Sequence, residues 1–214
     1  MGAGGPQRAR LHYIHDTLCG WCYAAAPLVA AARALPGLEV VLHGGGLWAA
    51  PQPLDPAMAA HIRAADARIA ALTGQVFGPA YLDGLLVDPA TRFHSLPPIT
   101  AICAADEIAP GRGFALLEAI QTAHYRDGRR VIALEVLADL AVDCGLDRAA
   151  FTEAFVACDG AAHIAATRAL MRDAGISGFP GLLLEKDGGM TRVPVDGFLG
   201  APDRFAAHLA SVLA

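Results

Sequence analysis

The sequence contains two cysteines two residues apart, Cys19 and Cys22, at a point where a strand pattern gives way to a helix pattern. A short β-type run, 11–15 (LHYIH), precedes them, and the alanine-rich run 23–35 that follows is typical of a helix. A Cys-x-x-Cys pair placed between a strand and a helix is much more specific than the spacing alone. This context favours an α/β fold in which the two thiols carry out redox chemistry.

The position of each cysteine predicts a different role. A helix begins with unpaired N–H groups and with the positive end of its dipole, and both stabilise a thiolate. Cys19 is therefore predicted to have a lowered pKa and to be nucleophilic near neutral pH. Cys22 lies one turn further along the same face of the helix, where it can resolve a mixed disulfide formed at Cys19.

Other interpretations of the pair fit less well. A structural zinc site needs four ligands, but the sequence has no second Cys-x-x-Cys and no closely spaced Cys/His pair, so we expect no metal site. A c-type haem site needs a histidine after the second cysteine, where this chain has Tyr23. Two buried free thiols without chemistry agree with the residue types but leave their place at the strand–helix junction unexplained.

Composition argues against several classes of protein. The chain has 214 residues, 55% of them hydrophobic, so it can bury a sizeable core. A net charge of −5 without a basic run argues against nucleic-acid binding. The first ten residues lack the apolar core of a signal peptide and no apolar run could span a membrane, so we expect a cytoplasmic protein. In a reducing compartment Cys103, Cys144 and Cys158 are expected to be small core residues.

Hydrophobic periodicity predicts a β-α-β unit, a block of helices and a β-β-α unit. The first unit has strands over 11–15 and 38–43 with a helix over 22–35 between them, and a connection of this length implies parallel strands. An antiparallel hairpin over 182–195 and a helix over 202–213 form the last unit. The helices of the block are predicted to begin near Asp55, Pro97, Gly113, Ile132, Asp147 and Ala161.

The segment 175–181 (GISGFPG) places Pro180 directly before a strand of the predicted sheet. One explanation is a cis Phe179–Pro180 bond, which would turn the backbone and leave the preceding carbonyl and N–H free to pair with an extended substrate. An ordinary trans turn explains these residues equally well. Phe179 and Pro180 are candidates for substrate binding because of this position.

The residues that carry chemistry also resemble a known family. The order of elements, with Cys-x-x-Cys opening the first helix and a proline before the third strand, resembles the thioredoxin superfamily, and the helical block resembles its DsbA-like branch. The runs 12–16 (HYIHD), 19–22 (CGWC) and 178–180 (GFP) are similar to cytoplasmic FrnE-like proteins and predicted protein-disulfide isomerases. The resemblance extends over about 11–213.

This resemblance has consequences for domain organisation and for the site. It implies a thioredoxin fold (β-α-β…β-β-α) made of residues 9–53 and 175–214, with an inserted all-helical domain over 54–174. It also implies that Pro180 is cis and that Cys19 is the attacking thiol.

Residues around the cysteines are candidates for substrate binding and for tuning the thiols. Gly20 and Trp21 lie between the cysteines, where the indole offers either an apolar platform for a substrate chain or an anchor for the start of the helix. A protonated His15 would lower the thiol pKa, and a buried Asp16 could relay a proton to or from Cys22. A surface histidine and a helix-capping aspartate fit these two positions as well.

Together these observations predict a thiol–disulfide oxidoreductase of the protein-disulfide reductase or isomerase type. It would use the Cys19–Cys22 dithiol without a bound cofactor, act on a disulfide-containing protein or a small thiol, and accept glutathione as a co-substrate. Two alternatives stay open: a glutathione-dependent transferase or isomerase acting on a small electrophile, and a chaperone-like binding module. The sequence does not indicate the oligomeric state.

Overall fold

The computed structural model describes residues 9–214, so the prediction about the first ten residues lies almost entirely outside it. Strand β1 pairs in parallel with β2 and antiparallel with β3, and β4 pairs antiparallel with β3, which confirms the predicted strand directions. The mixed sheet has the order β2-β1-β3-β4. Its strands are β1 (Ala9–His15), β2 (Leu38–Gly44), β3 (Gly181–Lys186) and β4 (Gly189–Arg192).

Helix α1 (Gly20–Arg33) connects β1 to β2 and begins directly after Cys19. Pro27 lies inside this helix and has no N–H, so the carbonyl of Tyr23, four residues earlier, loses its helical partner. The side-chain amide of Gln75 donates to that carbonyl at 2.6 Å instead. A residue from the loop after the next helix thus completes the backbone hydrogen bonding of α1.

The helical block and the last helix agree closely with the predicted pattern. The Asp55 and Asp147 carboxylates cap their helices by accepting from the N–H groups of Met58 and Ala150, as predicted. A π-helical turn at Ala80–Leu85 was not indicated by the sequence. The helices are α2 (Pro56–Thr73), α3 (Leu96–Ile108), α4 (Arg112–Tyr125), α5 (Leu134–Asp143), α6 (Arg148–Ala157), α7 (Gly160–Asp173) and α8 (Pro202–Leu213).

The buried face of α2 agrees only in part with its hydrophobic spacing, which runs through Met58, Ile62, Ala65, Ile69 and Leu72. Met58 and Leu72 are 43% and 53% exposed, whereas the acid Asp66 is 2% exposed and lies beside the buried Ile69. Helix α2 packs against α1, and this contact buries the face that carries Asp66. Periodicity cannot predict a buried acid, because it treats every charged residue as solvent-facing.

The hairpin β3–β4 has the predicted turn but a shorter second strand. Asp187 and Gly188 have φ angles of 53° and 77°, the left-handed conformation that a tight hairpin turn requires. Strand β4 ends at Arg192 rather than at Val195. Pro194 has no N–H with which to continue the ladder, which explains the early end.

The sheet is covered on both faces. The main hydrophobic core joins one face to α1, α8 and the helical block, with Ala9, Leu11 and Tyr13 as its β1 members. Ile14 points to the opposite face, where Met171 and Leu183 form a smaller cluster. Among the described residues every helix is too short or too polar to cross a membrane. The division into 9–53 plus 175–214 and 54–174 stays a prediction.

Candidate active site

Both cysteines lie at the start of α1. Cys19 precedes the first helical turn with an extended backbone, φ −104° and ψ 113°, and Cys22 lies within that turn. Both side chains are free thiols. Cys19 is 8% exposed and Cys22 is completely buried, so Cys19 is the sulfur that a substrate can reach.

The two thiols differ in acidity because one donates a hydrogen bond to the other. The bond from the Cys22 side chain lowers the pKa of Cys19 despite burial, and the backbone N–H groups of Cys22 and Trp21 act in the same direction. Burial raises the pKa of Cys22 well above its ordinary value, and the bond to Cys19 adds to that shift. The pair therefore loses its first proton at Cys19.

Asp16 lies against the buried sulfur of the pair. Its backbone N–H donates to Cys22 Sγ at 3.4 Å, and its carboxylate accepts from the N–H groups of Leu18 and Leu47 at 2.9 and 2.7 Å. Burial raises the pKa of this carboxyl, although the two N–H donors oppose the shift. Asp16 thus ties the turn before α1 to the loop after β2 and places a buried acid next to Cys22.

The structure contradicts the hypothesis of a protonated His15. The side chain is 1% exposed, and its ring stacks on Tyr13 with centroids 5.2 Å apart. Burial, together with the nearby His163 and His43, lowers the pKa of His15 to about 3, so the ring is neutral at neutral pH. The alternative of a surface histidine is also wrong. The acidity of Cys19 depends on hydrogen bonds rather than on a cation at this position.

The Phe179–Pro180 peptide bond is cis, as predicted. Its loop lies beside the cysteine pair, and the Cys19 thiol donates to the Phe179 carbonyl at 3.8 Å. The Phe179 ring fills the space over Gly45, where a Cβ would come within 2.2 Å of the ring. Gly45, which follows β2, therefore has a packing role, because its lack of a side chain makes room for the loop that faces Cys19.

Arg168 of α7 contacts both the loop after β2 and the ring of Phe179. Its guanidinium donates to the carbonyl of Gly46 at 2.7 Å and lies 5.1 Å from the centroid of the Phe179 ring. The cation and the ring attract each other through the ring quadrupole. Sequence reasoning missed Arg168 because an arginine on an amphipathic helix is typical of a solvent-facing position.

A groove of about 450 Å³ runs beside the pair. Trp21 lines one part of it, and the segment 175–182, which includes Phe179 and Pro180, lines another. Trp21 is half-buried, so its ring has an accessible surface as well as packing contacts. The groove brings together all the predicted substrate-binding residues except Gly20.

Gly20 instead faces a residue that the sequence did not indicate. A Cβ on Gly20 would lie 2.7 Å from Oδ1 of Asp66 on α2. The Tyr81 hydroxyl donates to Oδ2 of Asp66 at 2.9 Å, and burial raises the pKa of this carboxyl to about 6. Two buried acids therefore lie near the cysteine segment: Asp16 is next to Cys22, and Asp66 of α2 is next to Gly20.

Within residues 9–214, no group of three or more His, Cys, Asp or Glu side chains could hold a metal ion. What the site offers is an acidic thiol, a second thiol in contact with it, and a groove alongside.

Comparison with known proteins agrees with this geometry. A family model described as a DSBA-like thioredoxin domain matches residues 11–205. The chain belongs to the DSBA-like thioredoxin domain family. The predicted DsbA-like thioredoxin fold and the predicted thiol–disulfide oxidoreductase activity are thereby confirmed.

Solved structures include proteins that are similar to this chain. The cytosolic disulfide reductase DsbM from Pseudomonas aeruginosa is 44% identical with a TM-score of 0.89, over 95% of this chain and 98% of that one. A structure of that reductase with GSH gives 42% identity and a TM-score of 0.87, over 95% of this chain and 98% of that one. Pseudomonas aeruginosa DsbA, at 14% identity, a TM-score of 0.56 and coverage of 99% and 84%, shares the fold alone. No curated protein sequence gives a match.

Proposed function

We propose that this DSBA-like protein is a cytosolic disulfide reductase that works through the Cys19–Cys22 dithiol. The observation that carries the proposal is the opposite shift of the two thiol pKa values, lowered at Cys19 and raised at Cys22. An attacking thiol must be ionised, and a resolving thiol must keep its proton until the mixed disulfide exists. The 44% identity to a cytosolic disulfide reductase supports both the direction of the reaction and the compartment.

The reaction begins at Cys19, the more accessible of the two thiols. The Cys19 thiolate attacks one sulfur of a substrate disulfide, forms a mixed disulfide and releases the other substrate sulfur as a thiolate. Cys22 then loses its proton and attacks the Cys19 sulfur, which forms the Cys19–Cys22 disulfide and releases the second substrate sulfur. The substrate gains two electrons, the protein loses two, and the substrate thiolates are protonated by water or by nearby acids.

Asp16 is the group placed to receive the proton of Cys22. Its backbone N–H already contacts the Cys22 sulfur at 3.4 Å, and its carboxyl, the pKa of which is raised by burial, can change protonation state nearer to neutral pH than an ordinary aspartate. In this role Asp16 speeds the second step, whereas in the first step its charge acts only by raising the pKa of Cys19.

Glutathione is the proposed electron donor. Two molecules of glutathione return the Cys19–Cys22 disulfide to the dithiol and leave as glutathione disulfide, so no bound cofactor is required. The structure of the related reductase with GSH supports this choice. The groove that Trp21 and the Phe179–Pro180 loop line lies next to the cysteine pair and is the proposed place for an extended peptide or a glutathione moiety.

Reduction of insulin or of a disulfide-linked peptide by glutathione, with and without the protein, tests the proposal. Cys19→Ser should abolish the acceleration, and Cys22→Ser should accumulate a mixed disulfide at Cys19. Cys144→Ser is the matched control and should keep full activity. Asp16→Asn should slow resolution of the mixed disulfide without slowing its formation. Conjugation of glutathione to a small electrophile that survives Cys22→Ser, without disulfide reduction in any variant, would favour the transferase alternative instead.

A further inference from the structure

Two cysteines outside the active site lie near each other. Cys103 is on α3, Cys158 follows the last residue of α6, and the two thiols are close enough for each to influence the pKa of the other. Both are free thiols and both are half-buried. They are separated by more than 50 residues in the chain, so only the packing of α6 on α3 brings them together.

The backbone next to Cys158 also approaches α3 closely. A Cβ on Gly160 would lie 2.0 Å from Oγ1 of Thr100 and 3.2 Å from Cδ1 of Leu96. Thr100 and Cys103 are three residues apart on α3 and therefore share a face of that helix. The missing side chain at Gly160 lets the junction between α6 and α7 lie directly on the face of α3 that carries Cys103.

We propose that Cys103 and Cys158 form a second dithiol, which is oxidised to a disulfide linking α3 to the α6–α7 junction. Cys144 is not part of it, because the groups that influence the pKa of its thiol are Asp143, Arg112 and Glu118 and not a cysteine. Spacing in the sequence would also allow a bridge between Cys144 and Cys158, but the fold favours the Cys103–Cys158 pair.

The order of the steps follows from the environment of each sulfur. Burial raises the pKa of Cys103 to about 12, and contact with Cys158 and Glu107 adds to that shift. Burial also raises the pKa of Cys158, but a hydrogen bond from Cys103 opposes the shift. Cys158 is therefore the thiol that ionises first and attacks.

Glutathione disulfide is a sufficient oxidant for this step. The Cys158 thiolate attacks one sulfur of glutathione disulfide and releases one glutathione. Cys103 then loses its proton and attacks the Cys158 sulfur, which releases the second glutathione and closes the bridge. Two thiols are oxidised, one disulfide is reduced, and the two protons leave with the two glutathione molecules.

The Cys103–Cys158 disulfide should be harder to reduce than the Cys19–Cys22 disulfide. A disulfide is easier to reduce when one of the resulting thiolates is stabilised, and hydrogen bonds stabilise the thiolate at Cys19. The environment of Cys103 and Cys158 disfavours both thiolates. We therefore expect the Cys103–Cys158 disulfide to persist in glutathione buffers that return Cys19–Cys22 to the dithiol.

The test is thiol counting and peptide mapping after exposure of the folded protein to glutathione disulfide. In a Cys19→Ser/Cys22→Ser background, two of the three remaining thiols should disappear without adding glutathione to the mass. Trypsin should then release peptides 93–112 and 149–168 as one linked species. Adding Cys144→Ser should leave the link intact, whereas adding Cys103→Ser should replace it by a glutathione adduct at Cys158. The linked protein should unfold at a higher temperature, because the bridge closes a long loop, and dithiothreitol should reverse the shift.

Three outcomes would overturn the proposal: retention of all three thiols, a linked species that contains peptide 131–148, or stable glutathione adducts without a bridge. The same mapping on the unsubstituted protein does not depend on whether the variants fold. There, a bridge confined to Cys19–Cys22 at full oxidation would also refute it.

Discussion

The α-carbon of Gly20, between the two cysteines, lies so close to Asp66 of α2 that a Cβ there would be 2.7 Å from Asp66 Oδ1. The dipeptide between the cysteines is therefore in contact with the helical block as well as with the substrate side. The Tyr81 hydroxyl holds the other oxygen of Asp66 at 2.9 Å, which limits how far the carboxylate can withdraw.

The first prediction follows from this contact. Gly20→Ala should destabilise the protein by roughly 1–3 kcal/mol, because the new methyl group overpacks the space between Asp66 and Ile69. The cost should shrink in an Asp66→Ala background, which a double-mutant cycle of urea unfolding would measure. Gly84→Ala is the control, because a Cβ at Gly84 would meet no heavy atom within 4 Å. Equal costs in both backgrounds would contradict the contact.

The second prediction concerns pH. Burial raises the pKa of Asp66 from 3.8 to about 6, so the folded protein favours the protonated acid. The raised pKa of Asp66 stabilises the folded protein by up to about 3 kcal/mol. This stabilisation is fully present below pH 3.8 and is lost as the pH rises through about 6. Asp66→Asn keeps an acceptor for the Tyr81 hydroxyl but does not titrate. The unfolding free energy of the variant relative to the original chain should therefore increase between pH 4 and pH 7, and a constant difference would refute the shifted pKa.

The third prediction concerns the reduction potential of the active-site pair. We expect it to be more reducing than the roughly −120 mV of the periplasmic oxidant DsbA, because the Gly-Trp dipeptide supplies no cation to stabilise the Cys19 thiolate. The low pKa of His15, about 3, means that this ring does not supply one either. Equilibration with glutathione buffers, followed by mapping of the peptide that contains Cys19 and Cys22, measures the potential.

A pair of substitutions at one position sharpens that test. Trp21→His adds a titratable cation beside Cys19 and should make the couple more oxidising by tens of millivolts, since about 30 mV corresponds to about 1.4 kcal/mol. Trp21→Phe removes the indole without adding charge and should leave the potential nearly unchanged. A potential close to that of DsbA in the unsubstituted protein would favour an oxidase over a reductase.

The fourth prediction concerns the interrupted helix α1. Gln75→Ala should cost about 1–2 kcal/mol, because it leaves the Tyr23 carbonyl without the donor that replaces the missing Pro27 N–H. Pro27→Ala restores that N–H, so the same Gln75→Ala substitution should cost much less in the Pro27→Ala background. If thermal or urea unfolding gave the same cost in both backgrounds, Gln75 would be acting through some other contact.

Local signals in the sequence were sufficient for most of the architecture. The strands, helix caps and the hairpin turn depend on residues within a few positions of one another, as the capping aspartates Asp55 and Asp147 illustrate. The Cys-x-x-Cys pair is likewise local, so its place at a helix start could be predicted. The cis bond at Pro180 needed the resemblance as well, since the residues alone left a trans turn equally acceptable.

Contacts between segments far apart in the chain could not be predicted in this way. Arg168 reaches Phe179 and Gly46, and Asp66 faces Gly20, only after the helices have packed. The same packing brings Cys103 near Cys158. The neutral state of His15 also depends on packing, because it is burial that removes the solvation of the charged ring. The sequence by itself determined which residues could react and the order of the elements. The tertiary structure alone decided which acid lies beside Cys22 and which lies beside Gly20, because pKa values and side-chain contacts depend on burial and distance rather than on position along the chain.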